Sequence, residues 1–195
     1  MNQSLFKRPF FWYGIYYGIA SILLFTIIYA VNLEFFGRFF MWMLAGVVIL
    51  LDFMIMGGMA ERKANGGYLK YFDAFKYLFF IGVIGYIINL LFTILFVNFI
   101  DTDFNNKLAV VIKESSMEWM EKYDMPEDKI EAQVKEMDKQ FANANSAWNY
   151  IKQFIGGAVM SALFALLCAL FVKRNPPEGM VEAEVLDSGT VSENT

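Results

Sequence analysis

The sequence predicts an all-α integral membrane protein: a four-helix bundle with an extramembrane helical hairpin between spans three and four. Three observations predict it. Four apolar runs, Phe10–Leu33, Phe39–Ala60, Tyr77–Ile100 and Phe154–Val172, each come close to the ~20 residues an α-helix needs to cross ~30 Å of hydrocarbon. A charged stretch, 101–153, separates the third run from the fourth and carries helical periodicity of its own. Apolar residues make up 57% of the chain, above the ~45–50% of ordinary soluble domains, and they fall in blocks. Residues 1–176 form one membrane domain, and 177–195 form an acidic Ser/Gly/Glu-rich tail expected to be disordered.

Composition narrows the chemistry. The net charge of −4 gives a nucleic-acid partner no electrostatic support. The chain has no histidine, which removes the commonest general base and metal ligand. The single cysteine, Cys168, lies inside the fourth run. It cannot form an intrachain disulfide and reads as a small packing residue. No catalytic, metal-binding or cofactor-binding motif is present, and no cofactor is expected.

Span one follows Lys7 and Arg8 and is too long for the apolar core of a signal peptide, so it is read as retained. Arg62, Lys63, Lys70 and Lys76 fill the link between spans two and three, and Lys173 and Arg174 follow span four. With four spans these clusters share one side, while the short link Glu34–Arg38 and the long acidic link share the other. The positive-inside rule therefore predicts cytoplasmic termini and an outer hairpin. Trp12, Tyr13, Trp42, Tyr77, Trp148 and Tyr150 mark the span ends as interfacial aromatics. Within the inner link, Asn65-Gly66-Gly67 signals a turn. Tyr68, Phe72 and Phe75 then predict a short amphipathic helix at the membrane surface leading into span three.

In the outer segment, Phe104, Leu108, Val111, Ile112, Trp119, Met120 and Tyr123 recur at helical spacing. Asp124-Met125-Pro126-Glu127-Asp128 breaks the pattern, with Pro126 suited to the first position of a new helix and the acids to its positive end. A second stripe, from Ile130 through Val134, Met137, Phe141, Ala144 and Trp148 to Ile155, runs towards span four. The expected structure is a hairpin over about 104–150. One arm extends span three and the other feeds span four, with Leu108 opposite Met137 and a hinge at Asn143–Ser146. Intramolecular packing is the preferred reading of the stripes. Trp119 and Met120, near the tip, are the candidates for a partner surface.

Asp52 interrupts span two in VVILLDFMIMGG. A central acid costs about 2.5–3.5 kcal/mol on insertion scales, so it is expected to be protonated or to face the bundle interior. Tyr86, Ser21 and Ser161 fall at similar depth and Asn89 about a turn further out. Any of these can supply a polar partner. A neutral Asp52 tying helices together is preferred over a proton or cation relay, because no second carboxylate, histidine or base accompanies it. Gly14 and Gly18 form a GxxxG in span one, and Gly157, Ser161, Ala165 and Ala169 repeat every fourth residue in span four. Both patterns permit close helix approach, within the chain or between copies.

These pieces together resemble a family. Tyr13-Gly14 with Gly18, the stretch Arg62–Tyr68 through Phe72-Asp73-Ala74-Phe75, Asp101-Thr102-Asp103-Phe104 and Met125–Glu131 are similar to the bacterial membrane family called domain of unknown function 4199, over residues 8–174. The resemblance implies a four-span architecture and an inner-membrane location, and brings no catalytic residues. The expected function is that of a non-enzymatic interaction or accessory protein. It sits in the lipid bilayer and meets an envelope protein or a second copy through its hairpin. The alternative is a small transporter or ion-conducting oligomer using Asp52.

Overall fold

A computed structural model describes residues 5–31 and 39–177. The expected disordered tail beyond them, the link at 34–38 and the side chain of Trp42 lie outside the described residues. After a 3₁₀ turn at Leu5–Lys7, the helices are α1 (Pro9–Val31), α2 (Phe39–Ala64), α3 (Tyr71–Leu95), α4 (Phe104–Lys122), α5 (Glu127–Ala142) and α6 (Ala147–Val172). A π-helical segment, Phe96–Ile100, prolongs α3. The described residues contain no strand and are all-α as the apolar runs require. Four stretches are long and apolar enough to cross a membrane: Pro9–Val31, Leu44–Ala64, Tyr71–Ile100 and Ala147–Val172.

Helix α3 is the centre of the bundle, packing against α1, α2 and α6. Small residues decide who touches whom. A Cβ added to Gly14 or Gly18 would sit 2.8 Å from Ile84 Cβ or Ile88 Cβ of α3. Gly82 of α3 meets Ser161 of α6, and Gly58 of α2 meets Leu78 of α3 and Val172 of α6. Gly157 backs onto the ring of Tyr86, and Ala165 and Ala169 are fully buried. The small-residue stripes therefore pack within one chain. The main core joins Phe10, Leu50, Met54, Leu78, Ile81, Cys168 and Val172. A second cluster of Phe25, Phe96, Val97 and Phe104 closes the far end, where aromatic edges meet aromatic faces.

Four expected boundaries shift. No separate surface helix precedes span three: Tyr71–Lys76 is the first turn and a half of α3 itself. Tyr68 lies before it, and Leu69 instead pairs with Arg174, each backbone N–H donating to the other's carbonyl at 2.8 Å. The first hairpin arm does not continue span three, because Asp101–Asp103 breaks the helix. The second arm is likewise separate from span four. The break falls at the predicted Asn143–Ser146 hinge, where the Ser146 hydroxyl accepts from the Asn149 N–H and caps α6. The hairpin turn falls at Tyr123–Pro126, with Pro126 at the N-cap of α5 rather than its first helical position. In its register Lys113 lies across from Asp138, paired at 2.6 Å. That places Leu108 well below Met137. Leu108 packs on the Phe25–Phe104 cluster and Met137 is buried within the hairpin.

Candidate functional site

The intramembrane polar candidates are not brought together. Asp52 lies on the exposed face of α2, and no described residue hydrogen-bonds it. The reason is helical phase. Leu50 and Met54, two residues to either side, are both buried, and a residue 200° round the helix from each must point the other way. The expected partners are engaged elsewhere. The Ser21 hydroxyl donates to the Tyr17 carbonyl and the Tyr86 hydroxyl to the Gln153 carbonyl. Ser161 is buried against Gly82, and Asn89, whose backbone carbonyl accepts from the Thr93 hydroxyl, gives Asp52 no side-chain bond. The expectation of an inward-facing Asp52 pinned by these groups is thus corrected.

The buried acid of this bundle is Glu61, which sequence reasoning treated as part of a link. It is fully buried. One carboxylate oxygen accepts from the Phe10 N–H at 2.9 Å and the other lies 3.1 Å from an Arg8 guanidinium nitrogen. That guanidinium also lies 4.7 Å from the centroid of the Tyr77 ring, a cation–π contact strengthened by desolvation. Beside Tyr77 a cavity of about 340 Å³ is lined by Asn65, Tyr68, Leu69, Lys70, Asp73, Tyr77 and Pro176. Arg62 donates to the Val172 carbonyl at 3.3 Å. Helix starts, helix ends and the Leu69–Arg174 bridge are thereby tied together at one end of the bundle. The signal was present in the sequence: an acid and a base at the same-side ends of two consecutive antiparallel spans.

At the opposite end the hairpin joins the bundle through Asp101. Its carboxylate accepts from the Tyr29 hydroxyl at 2.8 Å and from the Lys107 ammonium at 3.0 and 3.1 Å. The Lys107 ammonium, then the Tyr29 hydroxyl, hold the Asp101 carboxyl below its usual range, and Asp101 in turn raises Lys107. Further out, an Asn105–Asn145 hydrogen bond links α4 to the hinge.

The hairpin tip presents a pair of exposed aromatics outside the spans. Trp119 and Tyr123 are 57% and 62% exposed, with ring centroids 4.6 Å apart. Behind them Met120 is only 5% exposed. Its expected role as a surface residue is corrected: it is the packed foot beneath the pair. The turn is held by the Met125 N–H donating to the Met120 carbonyl at 3.1 Å. Asp124 takes a φ of +51°, in the left-handed region an Asp tolerates better than most residues. The tip thus presents two adjacent exposed rings on a hydrogen-bonded turn.

Among the described residues no group of His, Cys, Asp and Glu is arranged to hold a metal. The family model described as "Protein of unknown function (DUF4199)" matches residues 12–174. No curated protein and no solved structure matches the chain.

Proposed function

We propose, starting from a chain that belongs to the DUF4199 family, that this membrane protein is a non-enzymatic accessory protein that engages a partner through its hairpin tip. The observation carrying this reading is the exposed Trp119–Tyr123 pair, fixed by buried Met120 on an element that stands apart from the spans. Rigid, exposed aromatics supply large contact area at small entropic cost and dominate interface energetics. The orientation that fits places the end bearing Arg8, Lys63, Lys70, Lys76, Lys173 and Arg174 in the cytoplasm of a bacterial cell, and the hairpin outside its inner membrane. The ion-conducting alternative has weaker support, since the polar residues it needs lie apart from one another and Asp52 faces outward.

The test is a photo-crosslinking residue at Trp119 in whole cells, with the same residue at Glu136 on the hairpin flank as control. A discrete adduct of one size at Trp119 and none at Glu136 supports the reading. No adduct, or the same adducts at both positions, overturns it.

A further inference from the structure

We infer that the outer side of the α1–α2 pair is the contact face for a second copy of this chain, with Tyr16 of each copy donating to Asp52 of the other. Asp52 sits in the middle of a stripe of exposed residues on α2: Leu44, Val48, Met56 and Met59, each 44–54% exposed. A carboxyl surrounded by acyl chains has no hydrogen-bond partner, and such residues in spans face protein or a water-filled cavity. Here the described residues supply neither.

The neighbouring helix carries the matching donor. Tyr16 is 49% exposed, and no described residue accepts from its hydroxyl. It lies midway between Gly14 and Gly18, which face α3, so it projects from the side of α1 away from α3. Asp52 does the same on α2, between buried Leu50 and Met54. The two helices are joined by Tyr17 against Phe53, with ring centroids 6.3 Å apart, and by Tyr13 against Gly57. In that antiparallel register Tyr16 and Asp52 sit two residues apart in level, about 3 Å along the membrane normal. One flat face therefore presents a donor on one helix and an acceptor on the next, at nearly the same depth.

That arrangement is self-complementary. A two-fold axis along the membrane normal sets α1 over α2 of the other copy, and residue i meets j as j meets i. Two equivalent hydrogen bonds then form, and both carboxyls leave the lipid. A second copy is favoured over an unrelated span because this one face holds both halves of the pair at matching depth. Lipid tails offer neither half. The inference does not depend on the hairpin reading, since the two surfaces lie on different parts of the molecule.

The test uses the full-length protein reconstituted in lipid nanodiscs and vesicles, with dimerisation followed by energy transfer between labelled copies. Asp52→Leu and Tyr16→Phe should each weaken dimerisation about three- to thirtyfold, the range of one interhelical hydrogen bond to a few. The double variant should be little worse than either single. In a Cys168→Ala background, Met56→Cys should give a covalent dimer in native membranes, while Leu91→Cys, on exposed α3 surface, should not. Melting of each variant reports whether the monomer still folds. A wild-type chain that stays monomeric in the bilayer, single variants that dimerise as wild type does, or equal crosslinking at both cysteines overturns the inference and leaves lipid or a different protein on this face.

Discussion

Arg8 and Glu61 form an ion pair at 3.1 Å in which the carboxylate is fully buried and the guanidinium 21% exposed. It joins the start of α1 to the C-terminal end of α2, and the alignment is by charge, since the facing atoms make no well-directed hydrogen bond. Removing one member leaves a buried charge uncompensated, which typically costs about 3–5 kcal/mol. Glu61→Ala also strips the Phe10 N–H of its acceptor. Arg8→Ala and Glu61→Ala should each destabilise the bundle by about 3 kcal/mol or more, and the double variant should fall well short of the sum. Thermal unfolding of the purified protein in detergent measures both. Strictly additive losses would show that the two residues act independently.

The GxxxG of α1 is a tighter constraint than the ion pair. A methyl at Gly14 would meet Ile84 Cβ at 2.8 Å, and one at Gly18 would meet Ile88 Cβ at the same distance. A Cβ is fixed to its backbone, so the helices themselves must move apart. Gly14→Ala and Gly18→Ala should each cost about 1–3 kcal/mol. Gly46→Ala, where nothing lies within 4 Å, should hold stability or gain up to about 1 kcal/mol from helix propensity. Melting temperatures of the three variants, compared side by side, check this.

Acid should loosen the junction between hairpin and bundle. The folded Asp101 carboxyl titrates below its ordinary value because Lys107 and then Tyr29 stabilise its charged form. A carboxyl depressed in the folded state contributes stability that is present above its unfolded pKa and is lost as pH falls through the folded one. The effect thus lies in the acid range, below about pH 4. Lys107, raised by the same contact, keeps its contribution below the ordinary lysine range and loses it only as pH rises through the folded value. Asp101→Asn should therefore melt lower than wild type at neutral pH and converge with it in acid. A difference that persists unchanged down to pH 2 would assign the stabilisation to packing around Tyr29.

The spans were legible in the sequence because hydrocarbon thickness dictates how long an apolar run must be, and α1 to α3 and α6 follow those runs. What was not legible is direction. Along its apolar run, Phe39–Ala60, every face of α2 is apolar apart from Asp52, so no period marks which side meets α3. The phase is decided instead by where Met54, Gly57 and Gly58 find space. Glu61 was hidden for a different reason. Charge counting for topology weighs bases and passes over acids, so the partner of Arg8 read as part of a loop. At the hairpin, the stripe pattern foretold two helices and the hinge before Ser146. The register, in which Lys113 meets Asp138, is a relation across two helices that periodicity along either one does not encode.

Trp119 and Met120 are adjacent in sequence and opposite in environment, at 57% and 5% exposed, and this separates surface from support at the hairpin tip. Met120 also supplies the carbonyl that closes the turn, so its side chain sits beneath a fixed corner that cannot collapse freely onto a cavity. Met120→Ala should cost the hairpin about 2 kcal/mol or more, the lower range for a buried methionine truncation. Trp119→Ala removes an exposed ring whose main contact is Tyr123 and should change stability by no more than about 0.5 kcal/mol. Hydrogen exchange of α4 and α5 reads the two outcomes locally, without requiring the spans to unfold. Met120→Ala should speed exchange across both helices, whereas Trp119→Ala should leave it unchanged. Equal protection in both variants would mean that Met120 does not anchor the tip. Lost protection in Trp119→Ala would make the tryptophan structural, and with it the exposed pair would cease to be a surface held ready for a partner.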